Sequence, residues 1–256
     1  MVRNVCITGA TSGIGLATAK AFAKNGDQLI LCGRRVEKLS RIKTELEDSY
    51  GITVATYALD VRDQKAVERV TQEILAQHET IDILINNAGL ALSLEPFQDY
   101  PIADIDQMID TNVKGLLYVS RAILPAMLER NQGHIINMGS TAGMAAYGGG
   151  AVYCATKAAV KIISDGLRID TIASNVKVTT IQPGIVETDF STVRFHGDQE
   201  RAAAVYAGIE ALQAEDIADV VLYTANQPIH VQISDVTIMA NQQATGSMIH
   251  RKSSHQ

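Results

Sequence analysis

Asn4-Val5-Cys6-Ile7-Thr8-Gly9-Ala10-Thr11-Ser12-Gly13-Ile14-Gly15 runs from a short apolar strand through a glycine-rich turn into a helix. Gly9, Gly13 and Gly15 permit a tight turn and close backbone approach, so a pyrophosphate can meet the helix N-terminus. Thr11, Ser12 and Ile14 fill the loop between them. The spacing is Gly-x-x-x-Gly-x-Gly, not the Gly-x-Gly-x-x-Gly of the longer dinucleotide folds. A plain strand–helix turn is the alternative for such a loop taken alone. Its place on the first strand of an alternating chain favours a nucleotide, because ligands bind at the carboxyl ends of such strands.

The alternation continues along the chain. Apolar runs fall at 4–8, 28–32, 54–59, 83–86, 134–138, 177–182 and near 236–239. Amphipathic stretches fall near 14–25, 36–49, 63–78, 104–130, 152–174 and 215–226. Strands separated by helices imply right-handed crossovers and a parallel sheet covered on both faces. With no repeat or linker, residues 1–256 read as one doubly wound α/β domain, Rossmann-like, with helices on both faces. Gly148-Gly149-Gly150 joins a strand region to a helix and is too short to divide domains. Residues 187–212 carry turn chemistry and scattered aromatics, which suits a mobile flap over a substrate site. The polar tail, about 240–256, is expected to be frayed at its end or docked on another subunit.

Of the 256 residues, 46% are hydrophobic and 20% charged, which is ordinary for a soluble globular protein. The formal charge of -6 and the lack of a long Lys/Arg cluster argue against nucleic acid or an anionic membrane as partner. Three cysteines, at neither disulfide-like nor metal-like spacing, point to a reduced, cytoplasmic protein without a bound metal. Val2–Thr8 reads as a strand rather than a signal peptide, and no apolar run is long enough to span a bilayer.

The second strand distinguishes the dinucleotides. An NAD site needs an acid about 20 residues past the glycines, for the ribose 2′-hydroxyl. Here the strand ends Leu31-Cys32-Gly33-Arg34-Arg35, with two arginines where that acid would fall. A guanidinium matches a phosphate in charge and fork geometry, so NADP(H) is expected over NAD(H). Two solvated arginines opening a helix are the plainer alternative.

Tyr153 and Lys157 stand one helical turn apart, thirteen residues after Ser140. Positions i and i+4 share a helix face, so the ammonium can sit beside the phenol. A positive charge there lowers a phenol pKa from its usual ~10 and fits the tyrosine for acid–base work. Ordinary surface neighbours have the same spacing, so the pair alone proves little.

Taken in order, these motifs resemble the short-chain dehydrogenase/reductase family over nearly the whole chain. They are Thr8–Gly15, Asp60-Val61, Asn86-Asn87-Ala88-Gly89, Asn112, Met138-Gly139-Ser140, Tyr153-x-x-x-Lys157 and Pro183-Gly184-Ile185-Val186-x-Thr188. The resemblance implies that Tyr153 gives a proton to the carbonyl oxygen in reduction and removes it in oxidation. It implies that Lys157 bonds the nicotinamide ribose and lowers the tyrosine pKa, and that Ser140 bonds the substrate oxygen. Asn112 would hold a water linking the lysine to solvent. Asp60 and Val61 would flank the adenine, Asn87 and Gly89 would border the adenosine side, and Pro183, Gly184, Val186 and Thr188 would close over the nicotinamide and phosphates. Many NADP-using members carry a basic residue where this chain has Ser12, so Arg34 must carry more of the 2′-phosphate recognition.

Longer segments, 81–92, 109–115, 128–143 and 190–198, are most similar to the NADP-dependent 3-hydroxy acid dehydrogenases acting on serine and allo-threonine. Arg194, between apolar residues of the flap, can take a carboxylate bidentately or form a salt bridge within or between subunits. The stretch Thr141–Tyr147 is expected to wall the pocket. Its apolar Met144 and Ala145 would equally suit small ketones or diketones, so a broader NADPH-dependent carbonyl reductase is the alternative. A non-catalytic NADP-binding sensor is the minor one, disfavoured because Ser140, Tyr153, Lys157 and Asn112 are all present. The helical stretches near 104–130 and 152–174, the second rich in alanine, together with the family likeness imply a homotetramer or homodimer.

Overall fold

Apolar side chains leave each strand alternately toward two different cores. The computed structural model describes residues 2–252. Its first half runs β1 (Asn4–Thr8), α1 (Gly13–Lys24), β2 (Gln28–Gly33), α2 (Val36–Tyr50), β3 (Val54–Ala58), α3 (Gln64–Gln77) and β4 (Ile83–Asn86). Next come α4 (Ile102–Ile109), α5 (Leu116–Glu129), β5 (Gly133–Met138), α6 (Ala151–Asp170) and β6 (Val176–Pro183). The chain closes with α7 (Phe190–Arg194), α8 (Gln199–Ala204), α9 (Ala214–Ala225) and β7 (Asp235–Ile238).

Val5, Ile7, Leu29 and Leu31 lie in one core with Phe22 of α1, Leu46 of α2 and Val221 of α9. Cys6, Ile30 and Cys32, one residue out of phase, lie in the other with Ile74 of α3 and Ile123 of α5. Because side chains alternate along a strand, such runs are stable only when both faces are covered. Each fully buried Leu, Ile or Phe contributes roughly 1.5–3 kcal/mol. The strands form one parallel sheet in the order β3-β2-β1-β4-β5-β6-β7. Ile7 pairs with Leu31 on one side and with Ile85 on the other. The order reverses between β1 and β4, which leaves a crevice beyond their carboxyl ends.

Three regions differ from expectation. The stretch 104–130 is not one helix, because a π-helical segment, Asp110–Gly115, separates α4 from α5. The segment 187–212 is partly helical, containing α7 and α8. The tail as far as Lys252 folds back on its own chain rather than fraying. Gln243 bridges to Ile249, and Lys252 N–H donates to the Gly208 carbonyl at 2.8 Å. The Arg251 guanidinium donates to the Val205 and Ala207 carbonyls. The expected frayed end at 253–256 lies outside the described residues. Among the described residues, no helix is long and apolar enough to cross a membrane.

Candidate active site

The glycine turn is tied to the end of β4. Gly9 and Gly13 have φ of +66° and +52°, the left-handed region that glycine adopts without a Cβ clash. Thr8 Oγ1 accepts from the N–H groups of Asn87 and Ala88, both at 3.1 Å. Asn87 Nδ2 donates to the carbonyls of Thr8 and Gly9, also at 3.1 Å. A Cβ on Gly15 would overlap the Asn87 amide and the Gly9 carbonyl, so that glycine serves packing beneath the turn. Thr188, arriving from beyond β6, sits 3.4 Å from where a Gly13 Cβ would be. The N-terminus of α1 therefore opens between two loops, an arrangement suited to phosphate.

Arg35, rather than Arg34, folds back onto this turn. Its Nε donates to Thr11 Oγ1 at 2.9 Å, and its Nη2 to Ser12 Oγ at 2.7 Å. Arg34 is exposed and leans toward Asp60, adding to the positive field that lowers that carboxyl's pKa. The largest cause of that lowering is Arg62, whose Nη2 lies 2.6 Å from Asp60 Oδ2.

On the far side of the crevice, β5 delivers Ser140 and α6 delivers Tyr153 and Lys157. Ser140 Oγ accepts from Ala142 N–H at 3.1 Å and donates to the Pro183 carbonyl at 3.3 Å. Lys157 Nζ donates to the Met138 carbonyl at 2.8 Å and stands 5.9 Å from the Tyr153 ring centre. Asn112 accounts for the π-helical interruption. Its Nδ2 donates to the Leu90 carbonyl at 2.7 Å and to Thr156 Oγ1 at 3.0 Å, while Oδ1 accepts from Leu90 N–H at 2.9 Å. A π segment places side chains that a regular helix cannot. Gly89 leaves room for both groups, since a Cβ there would lie 3.3 Å from Asn112 Oδ1 and 3.4 Å from Lys157 Nζ.

Electrostatically, burial governs the pair. It raises the Tyr153 phenol well above its ordinary value, with the nearby Tyr147 phenol adding to the rise, while the Ser140 hydroxyl and Arg194 pull it down. Burial also lowers Lys157 to about 8. The simple expectation that the ammonium depresses the phenol is therefore not met by the protein's own groups. Desolvation outweighs charge.

A cavity of about 1040 Å³ joins these parts. Of the site residues named from sequence, all line it except Gly15, beneath the turn, and Asn112, behind Gly89. Arg194 of α7 reaches it, donating to the Ser93 carbonyl at 3.2 Å and to Tyr147 Oη at 3.1 Å. Among the described residues it forms no salt bridge. Thr141, Ala142 and Tyr147 line the cavity, but Met144 and Ala145 do not, and Met144 is 60% exposed. The short 3-10 turn Thr141–Gly143 carries them away.

Several lining residues escaped the sequence. Phe190 packs on Tyr153 with ring centres 5.7 Å apart. Tyr206 Oη bonds Ser191 Oγ at 2.7 Å. From the tail, Gln243 Oε1 accepts from Ile185 N–H at 2.9 Å, so residues 58 positions apart meet beside Gly184. Nothing in local pattern signals such contacts. Only the aromatic content of 187–212 hinted at them.

A glycine turn at the first strand, a parallel sheet reversing beside it and Ser140, Tyr153 and Lys157 across the crevice define a dinucleotide-dependent dehydrogenase architecture. Residues 3–199 match the short chain dehydrogenase family, and the chain belongs to it. It is 49% identical over 249 residues to the NADP-dependent 3-hydroxy acid dehydrogenase YdfG of Salmonella typhimurium, covering 96% of this chain and 99% of that one. It is 46% identical over 241 residues to sulfoacetaldehyde reductase 2 of Chromohalobacter salexigens, covering 94% and 95%. Among solved structures, the closed form of serine dehydrogenase complexed with NADP+ superposes with a TM-score of 0.90 at 44% identity, covering 97% of this chain and all of that one.

Proposed function

We propose that the protein is an NADP(H)-dependent oxidoreductase that interconverts the alcohol of a small 3-hydroxy acid, such as serine, with its carbonyl. The observation that carries this is the convergence of Ser140, Tyr153 and Lys157 on one cavity with the Gly9–Gly15 turn. Bound NADP(H) supplies the hydride chemistry at C4 of the nicotinamide, while the protein supplies position and proton transfer. Arg35 and Arg34, with no acid at the end of β2, fit a 2′-phosphate. Asp60 and Val61 flank the adenine, with Asn87 bordering the adenosine. Pro183, Gly184, Val186 and Thr188 cover the nicotinamide and its phosphates.

Tyr153 gives its proton to the substrate oxygen in reduction and takes it back in oxidation, and Ser140 bonds the same oxygen. Burial keeps the phenol protonated, which is the donating form. Lys157 bonds the nicotinamide ribose. Asn112 spends most of its hydrogen-bonding capacity on Leu90 and Thr156, leaving one Oδ1 lone pair for the relay water.

Arg194 takes the substrate carboxylate. Its lack of a described acidic partner supports this over an internal salt bridge, and the outward-facing Met144 removes the argument for a ketone-selective wall. A relative named for sulfoacetaldehyde, an anionic carbonyl compound, favours the same use of the arginine. Assaying Arg194→Ala with 3-hydroxybutanoate and with a neutral alcohol, using NADP+ and NAD+, tests the proposal. A selective loss on the acid with NADP+ is expected. Equal loss on both substrates, or a preference of the parent enzyme for NAD+, contradicts it.

A homodimer or homotetramer is also proposed. A mostly apolar groove of about 340 Å³ between α4 and α6, lined by Phe97, Ile105, Ile109 and Ala155 among others, leaves a surface suited to a second copy. Three free, buried cysteines suit a reducing cytoplasm.

A further inference from the structure

Two glycines of the run Gly148-Gly149-Gly150 are closely packed. A Cβ on Gly150 would overlap the Tyr147 ring, and one on Gly149, where φ is +71°, would lie 2.9 Å from the Leu94 backbone. Tyr100 Oη donates to the Gly149 carbonyl at 2.5 Å, fixing the run from a third side. Gly150 thus lets the Tyr147 ring lie against the start of α6, one turn before Tyr153, while Gly149 lets the run pass close to Leu94. Tyr147 Oη accepts from Arg194 Nη2, and the guanidinium stands 5.5 Å from the Tyr147 ring centre and 5.7 Å from that of Tyr153. Ser93 closes the arrangement, because its N–H donates to the Arg194 carbonyl at 2.9 Å and its own carbonyl accepts from Arg194 Nε.

Arginine has five donors in a planar fork. With Nε on Ser93 and one Nη2 hydrogen on Tyr147, the plane of the fork is set, and among the described residues the remaining donors have no partner and can meet a ligand. Both anchors are neutral acceptors, so the arginine keeps its full charge. Burial also raises the Tyr147 pKa more than Arg194 lowers it, so the phenol does not become a competing anion.

We infer that Tyr147 is a specificity-positioning residue that holds Arg194 in the plane from which it receives the carboxylate, or another planar-faced anion, of the substrate. The inference rests on the proposed carboxylate role of Arg194. It adds a residue outside the proton-transfer set and gives Gly150 a purpose, room for that ring.

The test compares Tyr147→Phe and Arg194→Ala on two probes of equal size, 3-hydroxybutanoate and 3-hydroxybutanamide. Tyr147→Phe keeps the ring and removes only the hydroxyl that accepts from Arg194. On the acid, KM is expected to rise about tenfold, the effect of one charge-assisted hydrogen bond, with kcat within about twofold. The rise on the amide should be several-fold smaller. A role confined to packing would move both probes together, and that result overturns the inference. If Arg194→Ala discriminates the probes but Tyr147→Phe does not, the carboxylate anchor stands and the role of Tyr147 falls. If neither variant discriminates them, the anchor itself is wrong.

Discussion

Lys157 holds its ammonium 5.9 Å from the centre of the Tyr153 ring while donating to the Met138 carbonyl at 2.8 Å. The pair therefore meets face to charge, inside a site whose burial penalises both ionised forms.

That burial has a stability cost that Lys157→Met would relieve. The lysine is lowered from 10.5 to about 8, so below pH 8 the native state carries a buried charge that the unfolded chain solvates freely. The penalty amounts to about 3 kcal/mol at pH 7 and disappears as pH rises from 8 toward 10.5. Losing the Met138 hydrogen bond returns about 1 kcal/mol of it. Lys157→Met should thus be about 2 kcal/mol more stable in urea at pH 7 while losing at least about 100-fold in kcat. A variant less stable than the parent at pH 7 would contradict the buried-charge account.

The proposed 2′-phosphate contacts make a second prediction. Arg35 bonds Thr11 and Ser12, whereas Arg34 adds to the positive field around Asp60. Arg35→Ala should weaken NADPH roughly 10–100-fold and NADH little, as measured by fluorescence titration. Arg34→Asp should also weaken NADPH by adding repulsion. Equal weakening of NADPH and NADH by Arg35→Ala would place the 2′-phosphate elsewhere.

His134 makes stability depend on acid. It is buried at the start of β5, with Nε2 2.8 Å from Thr179 Oγ1 and Nδ1 without a partner among the described residues, and burial lowers it from 6.5 to about 3. As pH falls below about 6.5 the unfolded chain takes up a proton that the native histidine refuses. Stability is lost over that window at up to about 1.4 kcal/mol per pH unit. From pH 7 to 5 the parent should lose about 2 kcal/mol more than His134→Gln in urea melts. Parallel losses would show that His134 already protonates in the fold.

Most of the scaffold was legible in sequence because its signals are local. All seven strands lie within about a residue of their apolar runs, since the five central ones are largely buried on both faces and all are bounded by turn residues. The glycine turn was readable because Gly9 and Gly13 need positive φ. The break at Asp110–Gly115 was not, because it depends on Asn112 gripping Leu90, 22 residues earlier, while the composition there reads as plain helix. Met144 faced outward for a similar reason, since a 3-10 turn redirects a segment whose residues suited a wall. Arg194 was visible as a lone arginine in an apolar stretch, but its partners, Ser93 and Tyr147, lie 101 and 47 residues away. The tail's return to Gly208 and Ile185 had no local signal either.

Tyr153 is the proposed proton donor and acceptor. Its most direct test is single-turnover NADP+ reduction with 3-hydroxybutanoate by the parent and by Tyr153→Phe, with NADPH affinity measured in parallel. The phenylalanine variant should bind NADPH within a few-fold of the parent and lose at least about 100-fold in rate. A variant that keeps its rate within a few-fold while NADPH stays bound would contradict the assignment.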